Sequence, residues 1–354
     1  MAVELGLTLV DVHPGEADAE RLAGEVIRAL RARDRATLAV SVPALDGRDT
    51  PIERLPPRYI QAAVESALRT TKLDALPLVL LPLRPTWMKS KAWPEIVGTA
   101  ARLVREGHVL AWGARLDAED TSFVAEDDRD EEEREAEPDL SSPIAHLTPL
   151  LAEPWLVALS VVFNACARTA GALIDAASAP LQFGPVAPSA SAATPFAGSS
   201  LILSPFAITE PSASTAAPRI TRQLAIFARQ PLAGRALAGT LGPGVKLTHR
   251  DDRNLDTATL ERLALAVAGL ARLVRTTPPA ASSTAAARDL LGSLPRPESV
   301  TSFTLAELAL RYVIDRGAIA LPRLHRHEHV PEALMAATAE PLTPEIIEIL
   351  DGIS

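Results

Sequence analysis

Trp93-Pro94-Glu95-Ile96-Val97-Gly98-Thr99-Ala100-Ala101-Arg102-Leu103-Val104-Arg105-Glu106-Gly107-His108-Val109-Leu110-Ala111-Trp112-Gly113 changes character at its glycine. Residues 93–106 read as a helix with Pro94 in its first turn, where the missing N–H breaks no intrahelical bond. Residues 109–112 read as a short buried strand. The same alternation extends in both directions. Upstream stand a strand at 78–81, a helix at 57–71 with Ile60, Val64, Ala67 and Leu68 on one face, a strand at 37–42, a helix at 17–33 and a strand at 7–11. Downstream come strands at 155–163 and 224–228, a helix at 257–274, a helix at 305–316 closed by Gly317, a strand at 318–321 and a helix at 329–339. Strand and helix in turn mark an α/β chain built on a parallel sheet.

Composition sets the outer bounds. The 354 residues are 47% hydrophobic and only 4% aromatic, so the core is drawn from Ala, Leu and Val. Apolar runs such as 78–81 and 156–163 fall far short of the roughly 20 residues of a membrane helix. No basic stretch precedes an apolar one at the N-terminus, and the single Cys166 excludes an internal disulfide, so a cytoplasmic protein without membrane association is expected. The net charge of −9 is local: residues 117–139 hold 13 acids against Arg129 and Arg134, which leaves the remainder near neutral. Without an aromatic-studded basic patch, nucleic acid is not an expected partner.

Two stretches interrupt the alternation. Residues 117–139 form an acidic low-complexity loop that cannot bury enough apolar surface to order itself. Residues 179–219 form an Ala/Ser/Pro-rich insertion, within which Leu201-Ile202-Leu203 reads as a short strand. Both are candidate surfaces for a protein partner. A further Ala/Thr/Pro stretch at 276–287 reads as a loop.

Several segments stand in one order: Arg58-Tyr59-Ile60-Gln61, Ser66-Ala67-Leu68-Arg69, Leu73-Asp74, the run 78–81, Glu106 to Gly113, and Pro231-Leu232-Ala233-Gly234. Ala309-Leu310-Arg311-Tyr312-Val313, Ala320-Leu321-Pro322, Glu328-His329-Val330 and Leu342-Thr343-Pro344-Glu345 close the series. In this order they resemble the aldo-keto reductase family over about residues 1–116, 150–178 and 222–350. The resemblance implies a single (β/α)8 barrel over the whole chain, interrupted by the two insertions, with its site at the C-terminal strand ends. It also implies NADPH and a catalytic Asp, Tyr, Lys and His, in which the lysine, paired with the aspartate, lowers the pKa of the proton-donating tyrosine.

The chain departs from that pattern at its chemical centre. Asp11 matches the aspartate. Glu16 stands near the tyrosine position, Ser41-Val42 where the lysine is expected and Pro82 where the histidine is expected. The chain has two tyrosines, Tyr59 and Tyr312, both in helical segments, and no Tyr or Lys in its first 57 residues. Around the cofactor, Gly113-Ala114-Arg115-Leu116 replaces a Ser-Asn pair, Ser160 replaces a glutamine, and Ala333 replaces the asparagine that reads adenine. Arg323, Arg326 and Glu328 remain suited to a 2′-phosphate and adenosine.

Other constellations are less specific. His325, His327 and His329 alternate, but a helix starting near Glu328 would splay them, and no metal site is expected. His13 next to Asp11 at the barrel mouth is a candidate acid–base group. Cys166 reads as a small buried hydrophobe. Trp87, Met88 and Trp93 read as a packed cap, and residues 239–244 as a turn.

The expected protein is a divergent aldo-keto reductase relative that has lost its catalytic Tyr, Lys and His. It would act as a non-catalytic binding, scaffold or regulatory subunit with no cofactor. Two alternatives stay open: an NADPH-dependent oxidoreductase reducing a carbonyl substrate, and a barrel enzyme with repurposed chemistry using Asp11, His13 and Arg115.

Overall fold

The computed structural model describes residues 2–13, 15–33, 35–45, 50–116, 147, 150–151, 153–178, 224–239 and 303–352, eight positions between 263 and 274, and the backbone of 181–182 and 221–222. The acidic run 117–139, most of 179–219 with its expected strand at 201–203, the stretch 276–287 and most of the expected helix 257–274 lie outside the described residues. So does the expected turn 239–244 beyond Gly239. Contacts divide the chain into two compact units: Met1–Val161 with Ala172–Ile226, and Val162–Gly171 with Phe227–Ser354. No helix among the described residues is long and apolar enough to cross a membrane.

The first unit is built on five strands in chain order, β1 (Leu9–Val12), β2 (Thr37–Ser41), β3 (Leu78–Pro82), β4 (Trp112–Arg115) and β5 (Leu156–Val162), each parallel to the next. Leu38, Ala39, Val40, Leu78, Val79, Leu80 and Leu81 are all buried, the continuous apolar pattern of strands covered on both faces. Helices α1 (Ala17–Ala29), α2 (Pro51–Arg54), α3 (Pro57–Thr71) and α4 (Trp93–Arg105) fill the crossovers. In α3, Pro57 opens the helix, and Ile60, Val64, Ala67 and Thr71 form its buried stripe. Lys72 then takes a left-handed conformation that ends it.

Strand β4 lies three residues beyond the 109–112 expected from sequence. Val109 makes only an isolated parallel bridge to Leu76, ahead of the point where β3 begins. The ladder proper starts at Val79–Trp112 and runs on to Pro82–Arg115. Gly113 is required there: a Cβ would sit 2.5 Å from Leu80 Cδ2 and 2.8 Å from Ala158 O. Of the residues expected to form a packed cap, Trp93 joins a tryptophan cluster with Trp112 and Trp155. Trp155 lies 6.1 Å from Trp93 and 6.4 Å from Trp112 between ring centroids, and Glu153 accepts from the indoles of both Trp93 and Trp155. Trp87 is buried in a 3-10 turn over Pro85–Lys89. Helix α5 (Gly171–Ser178) and the antiparallel pair β6 (Leu181–Gln182) and β7 (Thr221–Arg222) complete the described elements between β5 and β8 (Ala225–Arg229).

In the second unit, residues Phe227–Arg229 of β8 pair in parallel with β9 (Ile319–Leu321). Asn164, 1% exposed, ties the ends of two strands together. Its Oδ1 accepts from the Cys166 and Ala167 N–H groups, and its Nδ2 donates to Gln230 O, while Phe163 N donates to Arg229 O. Helix α6 (Leu305–Asp315) opens with a reciprocal cap between Thr304 and Glu307. Helices α7 (His329–Thr338) and α8 (Pro344–Asp351) follow. Arg311, 7% exposed, donates to the carbonyls of Ala336, Ala337 and Ala339 at the C-terminus of α7, where a cation suits the helix dipole. Asp315 pairs with it and also accepts from Leu342 N.

Candidate functional site at the strand ends

Side chains two apart on a strand share a face. Trp112 Nε1 donates to Ala100 O of α4 at 3.1 Å, which puts Trp112 on the helix-covered face with its register partners Val79, Val40 and Val12. The opposite face therefore carries Asp11, Ser41, Pro82, Gly113, Arg115, Ala158 and Ser160. Register places them in levels: Asp11 with Ala39 and Leu78; Ser41 with Leu80, Gly113 and Ala158; Pro82 with Arg115 and Ser160. The last level lies at the C-terminal ends of the strands.

That face is chemically mixed. Ser41 and Ser160 are 2% and 0% exposed, and neither hydroxyl has a hydrogen-bond partner among the described residues. Native proteins rarely leave buried hydroxyls so, and such groups call for an explanation. Asp11 and Arg115 are half-buried on the same face. His13 lies beyond the end of β1, 66% exposed, with Nδ1 4.0 Å from Glu16 Oε1. Thus Asp11 and Arg115 belong to the strand-end face, and His13 to the exposed loop ahead of α1.

Neither tyrosine stands among these residues. Tyr59 lies in α3. Tyr312 is fully buried in α6, stacks on Phe163 at 5.9 Å between centroids, and donates its hydroxyl to Asp351. Burial, reinforced by the Asp351 carboxylate, holds this phenol far above its ordinary ionisation range. Arg316 completes the cluster with its own contact to Asp351 at 3.3 Å. Cys166 is half-buried, and burial pushes its thiol up to about 11 against the influence of Arg168, the opposite of an activated nucleophile.

The residues expected from the sequence to hold a 2′-phosphate and adenosine lie in the second unit. Arg323, Arg326 and Glu328 are all exposed in the segment between β9 and α7, with Glu328 at the N-cap position of α7. Two guanidiniums beside a helix N-terminus suit an anionic phosphate. Ala333, at the position aligned with an adenine-reading asparagine, is instead buried in a cluster with Leu310 and Ala336. The residues present therefore fit a phosphate group better than an adenine base. The expectation that all three histidines splay apart needs correction. The helix does begin at His329, but His325 reaches back to pack edge-on against it, with ring centroids 4.7 Å apart, while His327 lies 3.9 Å from Glu328. Among the described residues no group of three or more His, Cys, Asp or Glu is arranged to hold a metal ion.

No family model matches the chain, and no curated protein matches it in sequence. Solved structures do match over its whole length. The glycerol dehydrogenase of Gluconobacter oxydans superposes with a TM-score of 0.57 at 15% identity, covering 99% of this chain and 82% of that one. An aldo-keto reductase from Bacillus halodurans, in its holo form, gives 0.53 at 16% identity over 100% and 84%. A thermostable aldo-keto reductase in complex with the inhibitor epalrestat gives 0.53 at 14% over 100% and 84%. The fold of this chain is the (β/α)8 barrel of the aldo-keto reductases.

Proposed function

We propose that this protein is a catalytically degenerate aldo-keto reductase-like barrel that acts as a binding, scaffold or regulatory subunit. One observation carries the reading: the strand-end face holds Asp11, Ser41, Pro82, Arg115 and Ser160, and neither of the chain's two tyrosines. Reducing a carbonyl requires a proton for the developing alkoxide as hydride arrives. A serine hydroxyl with no hydrogen-bond partner among the described residues, and a guanidinium that stays protonated, are poor donors for that step. Asp11 without a lysine has no tyrosine to activate. A barrel can lose such groups and still fold, because strands and helices hold it together while function lies in the strand ends and loops. The acidic run 117–139 is the first candidate surface for a basic protein partner, and 179–219 the second.

A second reading, an NADPH-dependent oxidoreductase, is favoured by the exposed Arg323, Arg326 and Glu328 at the start of α7. Thermal-shift titration with NADPH and NADH, followed by an NADPH-oxidation assay over a panel of aldehydes and ketones, separates the two. A ligand that binds only the folded state at about 100 times its Kd adds roughly 2.7 kcal/mol. The expected result is no turnover with any carbonyl compound. Steady NADPH consumption that depends on a carbonyl substrate overturns the degenerate reading. Binding without turnover leaves a nucleotide-binding subunit.

A further inference from the structure

Helices α1 and α3 meet where Gly24 faces Thr71, so closely that a Cβ on Gly24 would lie 2.1 Å from Thr71 O. Toward the N-terminal end of α1, the described residues of the two helices and the sheet leave a cleft between them. A cavity of about 350 Å³ lies there, walled by Val40, Val42 and Val79 from the strands and by Ala17, Ala63 and Ala67 from the helices. The cleft is open to solvent where Ala17, Ala62 and Ser66 are exposed, and its volume reaches the lower end of the roughly 300–1,000 Å³ range of small-molecule sites. It owes its size to small side chains on α3, where alanines stand in place of larger residues.

The wall is apolar except at a few points, and one of these is charged. Glu20 of α1 lines the cavity half-buried, and its carboxylate has no hydrogen-bond or ion-pair partner among the described residues. Arg21, the nearest cation in sequence, is engaged by Glu25 and Asp18. Tyr59 lines the same cavity and supplies an aromatic ring, a surface that attracts organic cations. Burial alone shifts the Glu20 carboxyl upward, which is what an uncompensated carboxylate against an apolar wall does.

We propose that this cavity, whose wall includes Ser41 of β2, is a ligand site for a small organic ammonium compound whose apolar body fills the alanine-lined space and whose charge meets Glu20. A cavity of roughly 150 Å³ accepts a benzene ring, so the available volume accommodates a ring with a short aminoalkyl chain. The proposal does not depend on whether the strand ends retain chemistry.

The test uses the full-length protein and three probes of one size: 2-phenylethylamine, 2-phenylethanol and phenylacetate, each titrated by calorimetry and thermal shift. The amine is expected to bind roughly tenfold or more tighter than the alcohol, the margin of a charge-assisted contact, and the acid not at all. Glu20→Gln should bring the amine down to the alcohol. Ala63→Leu, which fills the space, should abolish binding of both while the unliganded protein keeps its melting temperature. If Ala63→Leu does not fold, the comparison of Glu20→Gln with the parent decides alone. Equal binding of amine and alcohol, amine binding untouched by Glu20→Gln, or no binding of any probe at millimolar concentration overturns the site.

Discussion

Arg311 and Gly24 each mark a place where one helix is fastened to another, and they do it by opposite means. Around α6 the fastening is polar: Arg311 takes three carbonyls at the end of α7, Asp315 holds Arg311 and the Leu342 N–H, and Asp351 of α8 receives both Tyr312 and Arg316. In the first unit α1 meets α3 with no side chain between them, and Gly113 lets β4 close on its neighbours in the same way. The second unit is registered by pairs of groups and the first by fit. The contrast bears on function, because the buried hydroxyls without described partners, Ser41 and Ser160, lie where fit rather than pairing rules, on the strand-end face. Asn164, by contrast, is satisfied through three hydrogen bonds, although Arg311 keeps a buried Nε without a partner among the described residues.

The contrast can be broken experimentally, most forcefully at Asp315. Asp315→Ala leaves the Arg311 guanidinium without its carboxylate and Leu342 N without its acceptor, so urea denaturation should register a loss of about 3 kcal/mol. Asp315→Asn, which keeps an acceptor, should lose less. If the two variants are equal, charge pairing is not what registers α6.

Gly24→Ala tests the other mode. The added methyl gains helix propensity but collides with backbone, and overpacking of this kind costs roughly 1–3 kcal/mol. A stabilised variant in the same denaturation assay would show that α1 is free to shift and that fit does not fasten it.

Tyr312→Phe should cost about 1.5 kcal/mol near neutral pH, since Asp351 loses a donor. It also carries a signature in pH. The unfolded chain releases a phenolic proton near pH 10, roughly its ordinary value, whereas the folded protein holds the Tyr312 proton to higher pH. The folded state therefore binds more protons above about pH 10, and stability present below that pH falls as pH rises through it. Denaturation curves between pH 9 and 11 should show this fall in the parent and a flatter profile in Tyr312→Phe.

The smallest effect is expected at Ser160→Ala. Removing a buried hydroxyl that lacks a partner should leave stability unchanged or raise it by up to roughly 1 kcal/mol. A loss larger than that would place Ser160 in a hydrogen-bonded network and bring the strand-end face into line with the second unit.

Much of this was legible in the residues. The helix over 57–71 is where its Pro57 and apolar stripe put it, and most strands fall within one or two residues of their apolar runs. Strand β4 is the instructive exception. Val109-Leu110-Ala111-Trp112 looks like the strand, yet hydrogen-bond register begins where β3 begins, so the ladder runs through Gly113 and Arg115. The apolar run ends at Trp112, and pairing carries the strand on to Arg115. The cavity beside Glu20 had a faint signal in Ala62, Ala63, Ser66 and Ala67, but small residues on a helix equally announce close packing. Whether they admit a neighbour or leave a space depends on where that neighbour stops.

Sequence by itself determined the alternation of strands and helices, the parallel sheet, the absence of a tyrosine or lysine from the first 57 residues and the concentration of net negative charge in 117–139, because these depend on residue type and local period. Tertiary structure alone decided that Ser41, Arg115 and Ser160 share a face with Asp11, that Tyr312 is walled in against Phe163 and Asp351, and that α1 and α3 leave a cavity between them. Those facts follow from strand register and helix approach, which are set by contacts between residues far apart in the chain.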